Sequence, residues 1–597
     1  MLAKLCQVDK LPDTYRQRAE YEISVIEKLG FTDYFMTARD VVLWARRQSI
    51  LTGVGRGSVS GSLVARLLGI TRVDPIKHNL IFERFMNPHR VTPPDIDIDI
   101  QADRRGEVIQ HLRDKYGIDN VAMIGTFGRI RLKLALRDAA RYLGIDVVEV
   151  DAVTKELGWD MTLTKSAPAL KHFLAKYPSL EGFVKALMDK PRQVSVHASG
   201  IVISKDKPLI DCIPLRMKDG EIISQWDMKD IEEAGFLKVD ILGLTALTVI
   251  AKVLAKIEMD FNELLRVPLD DTEVYKMIGL GHTCGLFQIQ TSGSSMVSRQ
   301  VMPRTFSELV NLVALVRPVS KSEVEPYCYN REHGWEPIHP LLADILKGTN
   351  GILTFQEQAM QIAVALADFS VAEADELRRI IGKKIKDDVV LGKMYDRFME
   401  VATKKTSLKI AKTVWKWLEG GKDYAFCKAH ATAYAMTTYY MAWLKCYHYK
   451  EFMASHMEQE VSGADWVDKA VASYNELRNE EVSLIRPDIR LSKAVEFVIT
   501  DHQIVMPYVA IKGVGDVAAN KIEAAVKEAD ISTIDGIKAL LKKKKLTPKP
   551  VELLIMCGAL DYLGKREMLM KELLRKEVTW GKEQYIALEA KTLGFAL

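Results

Sequence analysis

Residues Pro94-Asp95-Ile96-Asp97-Ile98-Asp99-Ile100 constrain the chain more than any other stretch, because strict alternation of acid and isoleucine follows the two-residue period of a β-strand. Such a strand turns three carboxylates to one face and three isoleucines to the other. The isoleucine face requires a core. The acidic face crowds like charges, and a divalent cation between the carboxylates converts that repulsion into binding. Taken alone, the strand is also compatible with a solvent-facing edge or an isolated calcium site.

Upstream lies Gly53-Val54-Gly55-Arg56-Gly57-Ser58, a glycine-rich turn with an embedded arginine, whose backbone N–H groups are suited to phosphate. The segment Ser60 to Leu68 has helical spacing, which predicts phosphate-facing amides at a helix N-terminus. Metal and phosphate together imply nucleotidyl or phosphoryl transfer. In a strand, residues i and i+2 project side by side about 6.5 to 7 Å apart, and their carboxylates can converge on two cations about 4 Å apart. Asp95 and Asp97 meet that requirement; Asp99 continues the same face, and spacing alone does not choose the pair. The best third ligand is Asp240 in Leu237-Lys238-Val239-Asp240-Ile241-Leu242-Gly243-Leu244, where Lys238 shares a face with it and suits a phosphate. Arg56 and Arg84 are candidates for forking triphosphate oxygens, although a lone arginine is more often a surface or salt-bridging residue.

The chain has 597 residues, 48% of them hydrophobic, which is too much for one core; at about 150 residues per domain it holds roughly four units. Its formal charge of +4, from 83 basic and 79 acidic residues, means that any nucleic-acid contact must come from local basic surfaces. Seven cysteines without a CxxC pair argue against a disulfide framework and a structural zinc site, and fit a reducing compartment. No apolar run approaches the roughly 20 residues of a membrane span, and the N-terminus lacks a signal-peptide core, so a soluble, cytoplasmic protein is expected with no membrane partner.

Along the chain, helices are predicted at 14 to 29, 36 to 47 and 104 to 115, with a mostly helical stretch from 129 to 190. Val194 to Ser204 and Gly235 to Leu242 read as strands, predicting a sheet interrupted and resumed. From 245 to 480 the pattern is almost entirely helical. It carries basic clusters at Arg378-Arg379, at Lys383, Lys384 and Lys386, and at Lys404, Lys405, Lys409, Lys412 and Lys416, for which a solvated helix face is the plain alternative. Asp271-Thr272-Glu273 reads as a helix start and not as an exonuclease site. Lys512-Gly513-Val514-Gly515, before a helix starting near Asp516, resembles one helix-hairpin-helix unit, which grips phosphate through backbone amides; a plain interhelical turn is the alternative. Lys542 to Lys545 form a lysine run.

Eight motifs in one order, GRGS (55–58), FERFMNP (82–88), PDIDIDI (94–100), HASGIVIS (197–204), LKVDILGL (237–244), FQEQAMQIA (355–363), ADELRRIIGKK (374–384) and KAHATAYA (428–435), resemble the family C bacterial-type replicative DNA polymerases across nearly the whole chain. The resemblance implies a template-directed polymerase that extends a primer 3′-OH with dNTPs by a two-metal mechanism. The implied fold is an α/β palm of the nucleotidyltransferase (polymerase beta-like) type at 1–128 and 193–244. A thumb would occupy 129–192, large mainly α-helical fingers 245–480, a helix-hairpin-helix region 481–565 and a helical tail 566–597. It implies Asp95, Asp97 and Asp240 as ligands of two Mg²⁺ ions, with Mn²⁺ able to substitute, and makes Asp99 a bystander. It places Gly57 and Ser58 near the primer end or phosphates, and Arg56, Arg84 and Lys238 around the triphosphate. Arg378 and Arg379 would reach the nucleotide from the fingers, with His430 near its sugar and Lys512, Gly513, Val514 and Gly515 on DNA.

Primer-template DNA is the implied partner, followed by a sliding clamp, a replicative helicase and a separate proofreading exonuclease; Gln584 to Leu588 matches a clamp-binding peptide only loosely. The sequence departs from the family pattern at Cys427 and Ala429, where asparagine and serine are usual, at Gln290, where glutamate is usual, and at Val54, where proline is usual. It is expected to be a compact form without the family's N-terminal histidinol-phosphatase-like and C-terminal oligonucleotide-binding domains. The competing functions are a polymerase-like DNA-binding protein with impaired catalysis and a template-independent nucleotidyltransferase.

Overall fold

The computed structural model describes residues 1–88, 94–157, 163, 168–383, 388–461, 463, 465–528, 530–543 and 545–596. It divides into two compact units, Met1–Arg105 together with Leu242–Leu597, and Gly106–Ile241.

The smaller unit is built on a sheet in which β2 (Val121–Arg129) runs antiparallel to β3 (Pro191–Ile203), and β3 antiparallel to β6 (Leu237–Leu244), with Gly200 opposite Asp240 and Val202 opposite Lys238. A hairpin of β4 (Leu215–Lys218) and β5 (Glu221–Ser224) joins it through a parallel contact of β5 with β2. Ala122, Ile124, Val202, Leu209, Ile213 and Ile231 form the core under this sheet. A second core is helical. Leu132, Ala135, Leu136, Ala139 and Ala140 recur at helical spacing along Leu132–Tyr142 and pack with Val150, Leu170, Phe173, Leu180 and Val184. Within the predicted helical stretch at 129 to 190 the described residues form the helices Leu132–Tyr142, Val147–Glu156, Pro168–Lys176 and Pro178–Leu187, while 158–162 and 164–167 lie outside the described residues. The strand β2 before it was not predicted: Val121 to Ile124 are buried without alternation, and Gly125 and Gly128 lower strand propensity. Gly125 is required there, since a Cβ would lie 2.3 Å from the Ser224 carbonyl oxygen.

The larger unit is mainly helical. The helices Asp13–Lys28 and Thr32–Arg47 fall where the first two were predicted. The acidic strand β1 spans Asp97–Gln101, and Thr52 bridges antiparallel to Ile100, so the glycine turn grows directly out of the segment beside it. The main core is organised around the helix Lys428–Tyr447, whose Ala431, Ala435, Tyr439 and Ala442 are fully buried. Towards the C-terminus the chain adds a small sheet in the order β7 (Ser483–Ile485), β9 (Gln503–Val505), β8 (Val498–Ile499), followed by helices from Asp516 to Leu593. Strands of two or three residues are too short for a sequence period, which is why this sheet was not foreseen. Asp271 caps the helix Thr272–Gly279, as the helix-start reading required. All seven cysteines are unbonded. Among the described residues no helix is long and apolar enough to cross a membrane. Lys384, Lys386 and Lys544 of the predicted basic clusters lie outside the described residues.

Candidate active site

The acidic segment, of which only Asp97–Gln101 forms the strand, divides its carboxylates by environment. Ile96, Ile98 and Ile100 are buried, as the alternation requires, while Asp95 is exposed, Asp97 half-buried and Asp99 buried. Asp99 accepts from Arg56 Nη1 at 3.0 Å, and Arg56 Nε lies 3.7 Å from Asp97. Burial pushes the Asp99 carboxyl up to about 6, against the opposing pull of Arg56. Asp99 therefore orients the arginine of the glycine turn, a contact that its expected place as a bystander to the metal ions did not include. Close packing fixes the turn against the strand: a Cβ on Gly53 would lie 2.8 Å from Asp99 Cβ, and one on Gly57, whose φ is +64°, 3.3 Å from Asp97 Oδ2.

The expected phosphate site at the helix N-terminus after the turn is corrected by the structure. Residues Gly57–Gly61, with Ser58 among them, form a 3₁₀ turn, and the α-helix is confined to Leu63–Leu67. Its first amides are already occupied: the fully buried Glu22 carboxylate accepts from Leu63 N at 3.0 Å, Val64 N at 3.0 Å and Ser62 Oγ at 2.8 Å. Arg18 neutralises Glu22 at 2.6 Å. The glycine turn is also held from the helical side. Gly57 N donates to His430 Nδ1 at 2.9 Å, and His430 packs on Tyr434 with ring centroids 3.9 Å apart. Burial, and next Arg56, lowers the imidazole to about 4, so it stays a neutral acceptor. Arg56 lies over the Tyr434 ring at 5.6 Å.

A second cationic group forms where three elements meet. Gln356 Oε1 accepts from Arg84 Nε at 3.0 Å and Arg378 Nη1 at 3.4 Å. Arg378 is also held by Asp375 through bonds of 2.9 and 2.7 Å. Burial, and next the proximity of Arg84, lowers Arg378 below its usual range. Arg379 follows on the same helix, Val371–Lys383, whereas the contacts to Gln356 come from Arg84 and Arg378. Buried Glu357 caps the helix Lys428–Tyr447 by accepting from Lys428 N at 2.8 and 2.9 Å and from Ala429 N at 3.4 Å, and Cys427 Sγ lies 3.6 Å from it. The departures at Cys427 and Ala429 thus sit on this cap. Of the basic residues further on, Lys404 and Lys405 are paired with Glu400 at 2.9 Å and Asp368 at 2.6 Å, so they follow the plain reading of a solvated face.

In the smaller unit, Asp240 is buried on β6. It accepts from Ser199 Oγ at 2.9 Å and pairs with Lys238 Nζ at 2.7 Å; Lys238 also reaches Glu232 at 3.2 Å. His197 Nδ1 accepts from Gly200 N at 2.8 Å and fixes the bend beside Ser199. Lys238 here is committed to carboxylates, whereas the sequence reading aimed it at phosphate. In the hairpin turn, Lys512 N donates to Thr592 O at 2.7 Å and Val514 N to Ile511 O at 2.9 Å. Gly513 has φ +90°, and Gly515 precedes the helix Asp516–Lys527. The segment Gln584 to Leu588 lies within the helix Lys582–Leu593.

Sequence reasoning found Arg56, Arg84, Lys238, Asp240, Arg378 and His430 but not Glu22, Ser199, Gln356 or Glu357. The last three lie in quoted motifs, and that was the available signal. Their partners are distant in sequence, so no spacing revealed their roles.

Residues 2–243 match the model of the bacterial DNA polymerase III alpha NTPase domain, and residues 244–406 that of the bacterial DNA polymerase III alpha subunit finger domain. Residues 481–569 match the helix-hairpin-helix motif. DNA polymerase III subunit alpha of Aquifex aeolicus is 35% identical over 94% of this chain and 51% of its own length. The protein of the same name from Thermus aquaticus is 35% identical over 93% of this chain and 47% of its own. That of Staphylococcus aureus (strain MRSA252) is 34% identical over 95% and 54%. The chain spans about half the length of the curated relatives it matches.

Proposed function

The chain belongs to the bacterial DNA polymerase III alpha family, and from that premise we propose that it is a template-directed DNA polymerase that extends a primer 3′-OH with dNTPs. The observation that carries the site assignment is the division of labour on the acidic segment: Asp99 is buried and committed to Arg56 at 3.0 Å, while Asp95 is exposed to solvent. Asp95 and Asp97, with Asp240, are then the carboxylates for two Mg²⁺ ions, for which Mn²⁺ can substitute. An all-carboxylate donor set suits these hard cations. When bound, the ions supply charge neutralisation at the primer oxygen, the α-phosphate and the departing pyrophosphate.

The chain's own residues do the rest. Ser199 and Lys238 hold Asp240 oriented. Arg56, Arg84 and Arg378 bind the triphosphate and offset charge that develops in the transition state, with Arg379 completing the set. His430 orients Gly57, and through it the turn carrying Ser58, against the incoming nucleotide. Gly513 and Gly515 present amides to a DNA phosphate beyond Lys512, and Val514 seats the turn. In this reading the domains are a palm of the nucleotidyltransferase type at 1–128 and 193–244, a thumb at 129–192, fingers at 245–480, and a helix-hairpin-helix region with its helical tail to the end. A cytoplasmic replication complex with a clamp, a helicase and a separate proofreading exonuclease is the setting that fits such an enzyme.

Incubation of the purified chain with a primed template, dNTPs and Mg²⁺ tests the reading. Extension that follows the template sequence supports it. Untemplated addition would point to a nucleotidyltransferase, and binding without extension to a DNA-binding protein.

A further inference from the structure

We infer that Gln356 is a positioning residue that aims the Arg84 and Arg378 guanidinium groups at the incoming triphosphate without neutralising them; the inference rests on the polymerase reading. Gln356 opens the helix Gln356–Ala367 and is fixed at both ends. Its backbone N donates to Phe426 O at 2.8 Å, and its side-chain Nε2 donates to Ala425 O at 3.3 Å. The remaining oxygen, Oε1, accepts from Arg84 Nε at 3.0 Å and from Arg378 Nη1 at 3.4 Å. One neutral acceptor thus joins two cations that come from different elements, the turn Phe82–Arg84 and the helix Val371–Lys383.

The two arginines differ in compensation. Arg378 has a carboxylate partner in Asp375, whose Oδ1 accepts from both Nε and Nη2. Among the described residues Arg84 makes no ion pair, and its side-chain hydrogen bond goes to Gln356. The nearby Glu357 carboxylate is occupied by the Lys428 and Ala429 amides. A half-buried guanidinium hydrogen-bonded to a single neutral oxygen is oriented while the Glu357 and Asp375 carboxylates act on it only through space, which leaves its N–H groups available to an anion. A carboxylate in the same place would make the same hydrogen bonds and cancel that charge in advance. Amide chemistry at position 356 therefore matters beyond its shape, and the anion it leaves room for is a polyphosphate.

Two variants separate this role from simple packing. Gln356→Glu keeps the length and the acceptor and adds negative charge; Gln356→Met keeps the length and removes the acceptor. In steady-state primer extension, Gln356→Glu is expected to raise the dNTP KM by about ten-fold or more with a smaller change in kcat, while primer-template affinity and melting temperature stay near the parent's. Gln356→Met is expected to raise KM as well, through loss of orientation. A Gln356→Glu protein that folds and keeps the parental KM overturns the inference, because packing alone predicts that result. Equilibrium binding of inorganic tripolyphosphate to the DNA-free chain tests the same charge argument apart from catalysis. If the parent extends no primer the polymerase reading fails, and this binding still decides the present one. Binding by the parent that weakens about ten-fold in Gln356→Glu supports it, and equal binding by the two, or none by either, overturns it.

Discussion

Asp99 shows how much of the site is decided by single residues. It shares the face of Asp95 and Asp97 in the sequence pattern, yet it is buried, bonded to Arg56 and lifted to about 6. Asp99→Asn keeps a neutral acceptor of the same shape, so it should slow extension roughly ten- to hundred-fold, the value of one charge-assisted hydrogen bond. Asp95→Asn should cost far more, and comparing the two single-turnover rates measures the difference. His430 makes a pH prediction. Its folded value of about 4 lies below the ordinary 6.5, so between those values the unfolded chain binds the proton in preference and stability falls as pH falls. The stability advantage of the parent over His430→Gln should therefore shrink between about pH 7 and about pH 4.5. A thermal-melt series on both proteins checks it, and a gap that is constant or widens towards acid would contradict the assignment of a neutral buried imidazole.

At the scale of elements, two buried glutamates occupy helix starts, one of them the start that was expected to be open for phosphate. Glu22 fills the start of Leu63–Leu67 and Glu357 that of Lys428–Tyr447. Replacing Glu22 by Leu leaves Arg18 without its carboxylate and the Leu63 and Val64 amides without an acceptor, which should cost about 3 kcal/mol in a denaturant titration. These caps explain where the sequence was readable and where it was not. The alternation at 94 to 100, the helix of Asp13–Lys28 and the turn before Asp516 are local patterns and were found. Glu22 meets Ser62 forty residues away, Gln356 meets Arg84 across 272, and His430 meets Gly57 across 373. Only the fold brings those pairs together. The missed strand β2 is a different case: its buried run and its glycines erase the two-residue period that made β1 obvious.

For the whole molecule, a near-neutral charge of +4 means that the proposed DNA affinity would have to come from local surfaces and not from the net field. If the hairpin turn and the basic faces together engage about six phosphates, affinity for primer-template should fall about a thousand-fold between 50 and 200 mM salt. A flat salt dependence would refute DNA binding through backbone phosphates. The central claim is that Asp95, Asp97 and Asp240 form the catalytic carboxylate set, and it is tested most directly by measuring primer extension and primer-template affinity side by side for Asp95→Asn, Asp97→Asn and Asp240→Asn. Each should lose extension by at least about a thousand-fold while binding DNA within a few-fold of the parent. Extension at near-parental rate by any folded member of the three would contradict that claim.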